Sequence, residues 1–124
     1  MTLARRKFEK RDIAELFSWF QTERDVLQWA GAALSWPLNK SQFSALIRQH
    51  KGAEPLRELW AVTQNDDMIG HFQLSLNRRL RTVGLGRIAL APAHRGHGLG
   101  AAMMSLMLHQ AFARELVHRF DLLV

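Results

Sequence analysis

The residues with the most chemistry in them run Arg87-Ile88-Ala89-Leu90-Ala91-Pro92-Ala93-His94-Arg95-Gly96-His97-Gly98-Leu99-Gly100-Ala101-Ala102. Gly96, Gly98 and Gly100 lie close enough for successive backbone N–H groups to turn to one side and form a concave anion site. A helical pattern follows at once. The first N–H groups of a helix lack intrahelical acceptors and carry the positive end of its dipole. Turn and helix together would hold a phosphate or pyrophosphate without many charged side chains. A side chain at Gly98 or Gly100 would fill the space that phosphate oxygens must approach. Two other phosphate loops are excluded. A dinucleotide fingerprint needs G-x-G-x-x-G, whereas these glycines are spaced G-x-G-x-G. A P-loop needs Lys followed by Ser or Thr, which is absent.

The elements that must position this turn are legible as changes of period. Asp12 and Glu15 have capping-box spacing, and Ile13, Leu16, Phe17 and Phe20 behind them recur as on a first amphipathic helix. Thr22 and Asp25 start a second helix carrying Val26, Leu27 and Trp29 and ending at Gly31. A third follows Pro37 and Asn39, with Phe43, Leu46 and Ile47 on one side and Gly52 as its stop. Residues 59–63 and the alternating run 68–76 read as a hairpin around the polar cluster Gln64-Asn65-Asp66-Asp67. A basic turn at Arg78-Arg79 leads into a third strand, 83–91, ended by Pro92. A long helix is expected from about Gly98 to Leu116, with Met103, Met107, Leu108, Ala111 and Phe112 buried. Residues 120–124 begin a strand, and residues 3–7 form another at the front. Strands joined through a helix should be parallel, so the sheet is mixed.

With 124 residues the chain has room for one hydrophobic core and not two. It has no apolar run of the roughly 20 residues that span a bilayer and no secretory pattern at the N-terminus. The absence of cysteine excludes disulfides, thiolate metal sites and thiol nucleophiles. No metal site is expected, and the expected compartment is the cytoplasm. A net charge of +6 invites an anionic partner, either nucleic acid or a phosphate-rich cofactor. The basic residues are scattered, so charge alone does not choose between them.

Arg95, Gly98 and Gly100 fit R-x-x-G-x-G/A. With Leu90-Ala91-Pro92 ahead of them, the segment resembles the cofactor-binding motif of the GNAT N-acetyltransferase superfamily. The resemblance implies an α/β fold with a mixed, mostly antiparallel sheet of about five strands. Helices would flank both faces, and the last two strands would be parallel, splayed, and joined by the cofactor-binding helix. It implies acetyl-CoA as cosubstrate and transfer of its acetyl group to a primary amine by direct attack on the thioester. Carried over, Ile88, Ala89 and Leu90 would lie along the pantetheine arm, Ile88 and Leu90 pairing with it like an added strand. The N–H groups of Arg95, Gly96, His97, Gly98, Leu99, Gly100 and Ala101 would hold the pyrophosphate, with Arg95 adding charge. The Leu90 N–H would donate to the developing oxyanion.

Such a reaction needs the attacking ammonium to lose a proton and the departing thiolate to gain one. Glu23 is the expected base, with Asp25, Glu58 and His71 as the other candidates. The family's usual acid, a tyrosine, has no counterpart, since the chain contains none. Arg87, within a strand, either binds substrate or pairs with an acid on a neighbour. Trp29 and Trp36 are candidates for lining the acceptor cleft, and His94 and His97 flank the turn. The resemblance also implies a loop, a helix and two strands beyond residue 124. Residues 1–124 therefore read as a single domain that is either cut short after its fifth strand or completes its sheet by pairing that open edge with a second copy. The alternatives are a coenzyme A-binding module without turnover and, ranked last for want of any motif, a basic nucleic-acid-binding protein.

Overall fold

The computed structural model describes residues 2–31, 34–50, 52, 57–113 and 119–122. Five strands lie side by side in sequence order: β1 (Ala4–Lys7), β2 (Arg57–Gln64), β3 (Asp67–Asn77), β4 (Thr82–Leu90) and β5 (Arg119–Leu122). The first three pairings are antiparallel and the last is parallel, as the helix between β4 and β5 requires. Asn65 and Asp66, at φ +52° and +69°, make the two-residue turn between β2 and β3. Positive φ at both central positions gives the turn a twist that matches its strands.

Helices α1 (Ile13–Ser18), α2 (Glu23–Ala30) and α3 (Lys40–His50) cover one face, and α4 (Gly100–Ala111) covers the other. Ile13, Leu16, Val26, Phe43 and Ile47 pack with Phe8, Leu59, Ala61 and Ala89 on the first face. Met103, Met107 and Ala111 pack on Val62, Phe72, Leu74, Val83 and Leu85 on the second. The Thr22 hydroxyl accepts from the Asp25 N–H at 3.1 Å and caps α2, and the Asn39 side-chain Oδ1 accepts from the Gln42 N–H at 3.2 Å at the start of α3. Among the described residues no helix is long and apolar enough to cross a membrane.

Several expectations need correction. Asp12 does not open a capping box toward Glu15; it closes one, accepting the Glu9 N–H at 2.8 Å and pairing with Arg6 at 2.8 Å. The run 68–76 does not alternate in burial, because helices lie on both faces of the sheet; residues 69–74 are all buried. Leu27 is exposed on α2. The last helix starts at Gly100, not Gly98, and ends at Ala111 as 3-10-like bonds tighten its final turn. The stripe at Met103, Met107 and Ala111 is buried against the sheet, with Leu106 partly packed beside it, while Leu108 and Phe112 stay exposed. Leu116, Leu123 and Val124 of the expected elements lie outside the described residues.

Candidate active site

The pairing of β3 with β4 contains an extra residue. His71 faces Ala89 and Gln73 faces Gly86, so β4 advances by three residues while β3 advances by two. The bulged residue is Arg87, at φ +47°. One added residue reverses which face each later side chain takes. Before it, Val83 and Leu85 face α4; after it, Ala89 and Ala91 face α1–α3. Beyond the bulge, the Ala91 N–H donates to the Ile69 carbonyl at 2.7 Å. Antiparallel ladders alternate, so the backbone N–H and C=O of Leu90, and by the same alternation of Ile88, point away from β3. On that outer side β5 pairs only with Thr82 through Leu85 among the described residues. Among the described residues nothing pairs with the edge at Ile88 and Leu90, which could take an extended ligand.

Pro92–His94 form a 3-10 turn that carries the chain from this edge to the glycines. Gly96 and Gly98 take φ +78° and +74°, conformations that a side chain would strain. Gly100 does not, and a Cβ placed there would meet nothing within 4 Å. Neither its backbone nor its packing calls for glycine. Among the described residues the N–H groups of residues 96–102 find no acceptor; the first bond of α4 comes from the Met103 N–H to the Leu99 carbonyl at 2.9 Å. Arg95 folds back, donating its Nε to the Leu90 carbonyl at 3.0 Å. That carbonyl is therefore engaged, whereas the outward Leu90 N–H meets no partner among the described residues.

A cleft of about 340 Å³ opens beside Ile88, Ala89, Leu90 and Arg95 and is walled by Trp19, Phe20, Asp25, Gln28 and Trp29. Trp29 stacks on Phe20 with ring centroids 4.2 Å apart, which holds this wall in place. Of the expected bases only Asp25 lines the cleft. Glu23 sits exposed in the first turn of α2 and is not among the residues lining it. Glu58 is buried on the α4 face, accepting from Trp60 Nε1 at 3.1 Å and Gln110 Nε2 at 3.3 Å. His71 is wholly buried against Phe8, and burial pushes its pKa down to about 3. Trp36 and His97 are exposed and do not line this cleft. His94 lines a separate cavity with Arg6 and Asp12.

A polar network on the same face was not read from the sequence. Arg57 and Arg87 both donate to Gln73 Oε1, at 3.4 Å and 3.0 Å, and Gln73 Nε2 lies 3.0 Å from His71 Nε2. Burial pushes both guanidiniums down, and the charge of Arg57 adds to the effect on Arg87. Among the described residues neither arginine meets an acid. The readable signal was His71-x-Gln73: two polar side chains on one face of a strand whose neighbours are apolar.

A family model described as an acetyltransferase (GNAT) domain matches residues 3–123. Among solved structures, a chimera of the Vibrio cholerae spermidine N-acetyltransferase SpeG is 19% identical with a TM-score of 0.76, covering 98% of this chain and 70% of that one. The aminoglycoside acetyltransferase AAC(6')-Ib, in complex with ribostamycin and coenzyme A, is 17% identical with a TM-score of 0.73, covering 98% and 73%. A transcriptional regulator from Bacillus halodurans C-125 is 16% identical with a TM-score of 0.71, covering 98% and 81%. Likeness at such identities concerns the fold, but the domain match runs nearly end to end: the chain belongs to the GNAT acetyltransferase family.

Proposed function

We propose that the chain transfers an acetyl group from acetyl-CoA to a primary amine, with the pyrophosphate on residues 95–101 and the thioester beside Leu90. The observation that carries this reading is the run of N–H groups at residues 96–102 without acceptors, next to the outward edge of β4. The open space at Gly100 fits it too, since only a ligand approaching the backbone gives that position a reason to lack a side chain. Acetyl-CoA supplies the activated carbonyl. The Leu90 N–H donates to the oxygen where charge develops, and the edge at Ile88 and Leu90 holds the arm extended. Asp25, in the cleft wall, takes the proton that the attacking amine must lose. The C–N bond forms as C–S breaks, and the thiolate takes its proton from solvent. Arg95 releases the Leu90 carbonyl and turns toward the phosphates.

Calorimetric titration with acetyl-CoA tests this, on the native chain and on Gly100→Glu. Gly100 has no positive φ, so the variant should fold normally yet bind at least about 100-fold more weakly, roughly 2.7 kcal/mol. Equal binding by both proteins would place the cofactor elsewhere. A module that binds without turnover is the second reading, favoured by Asp25 being the one carboxylate among the described residues lining the cleft while already accepting the Gln21 N–H at 3.1 Å. Binding without transfer to any amine would select it.

A further inference from the structure

Resting on that proposal, we infer that the acceptor amine carries an oxyanion, a carboxylate or a phosphoryl group, which docks between Arg57 and Arg87. The two guanidiniums converge on one amide oxygen, and no acid among the described residues balances them. Three buried N–H groups here lack any acceptor among the described residues: Arg57 Nε, Arg87 Nε and Trp29 Nε1. Buried donors are nearly always satisfied, because one left without an acceptor loses its water with nothing in return. All three residues line one cavity of about 260 Å³. An oxyanion brings several lone pairs, and guanidinium groups bind it in a fixed fork. The cavity shares Gln28 and Trp29 with the cleft at Leu90, so an acceptor anchored by its anion would extend its amine toward the thioester. Gln73 cannot turn away to relieve the arginines, because its amide nitrogen is engaged with His71. Arg87 also sits at a φ where glycine costs less, which points to a side chain kept for its chemistry. A polyamine would bring ammonium groups against two guanidiniums. The acceptor chemistry here therefore differs from that named for the spermidine enzyme of similar fold.

The test is an NMR titration that follows the Nε–H signals of Arg57 and Arg87 and the Trp29 indole N–H. The probes are matched pairs, glycyl-leucine against glycyl-leucinamide and O-phosphoethanolamine against ethanolamine, with spermidine alone. At least one anionic member should shift all three signals and bind about 10-fold or more tightly than its neutral partner. The pair that shows the preference identifies the oxyanion. Arg57→Gln and Arg87→Gln should each abolish it while the remaining spectrum stays native. Equal binding within both pairs, or spermidine as the tightest ligand, overturns the inference. The titration needs no acetyl-CoA, so loss of cofactor binding would sink the acetyltransferase reading while this result stands by its own measurement.

Discussion

Gln73 donates its amide hydrogen toward His71 Nε2 because its oxygen is claimed by two arginines. His71 must then accept at Nε2, which makes it the neutral Nδ1–H tautomer. An unfolded histidine takes a proton near pH 6.5, whereas this one holds out to about pH 3. The unfolded chain therefore binds more protons throughout that window, and stability falls as pH drops through it by up to about 1.4 kcal/mol per unit. Denaturant melts at pH 7.5 and 5 should show the loss, and His71→Gln should flatten the slope. An unchanged slope in the variant would assign the loss to another group. Asp12 acts in a lower window. Burial works to raise its pKa, but the Arg6 guanidinium and the Glu9 N–H outweigh burial and lower it. Its contribution is complete above the ordinary carboxylate range and disappears as pH falls through the lowered value. Neither role was legible. Asp12 looked like a helix cap because capping is local, while its partner Arg6 stands six residues back on β1. His71 looked like a base because sequence shows residue type and hides burial.

Elements were legible where period and capping agreed: Thr22 opens α2 and Gly31 closes it, as their types imply. The bulge in β4 was not, because Val83 through Ala91 read as one uninterrupted strand. Its residue carries a cost. An L-residue in the left-handed region loses about 1–2 kcal/mol, while glycine there loses about 0.5–1 kcal/mol to chain entropy. Arg87→Gly should therefore leave stability equal or raise it by up to about 1 kcal/mol, a few degrees in Tm, while removing any anion preference. A drop of more than about 1 kcal/mol would mean that arginine packing, not strain, dominates the site. α4 makes the opposite case. Met107 is fully enclosed against the sheet, so Met107→Ala should cost about 2–5 kcal/mol, whereas Leu108→Ala on the exposed stripe should cost under about 1 kcal/mol. Thermal melts of the two would separate the stripes that hydropathy alone ran together.

Across the whole molecule, β2 and β3 lie in the middle of the sheet with apolar cores on both sides. Hydrogen exchange should be slowest in these strands and fastest in the acceptor-free N–H groups of residues 96–99, which acetyl-CoA should then protect. Order of elements, mixed pairing and the parallel last strand were all readable, because each follows from local period and connection length. The arginine cavity was not, since Arg57 and Gln73 are brought together only by strand register. The bulge divides β4 into two reading frames. Val83 and Leu85, before it, answer to the fold, while Ile88 through Leu90, after it, answer to the cleft. A mutant library confined to Ile88, the exposed member of the second frame, would vary the cleft wall at little risk to folding, whereas diversity at Ala89 or in the first frame would be spent on broken cores.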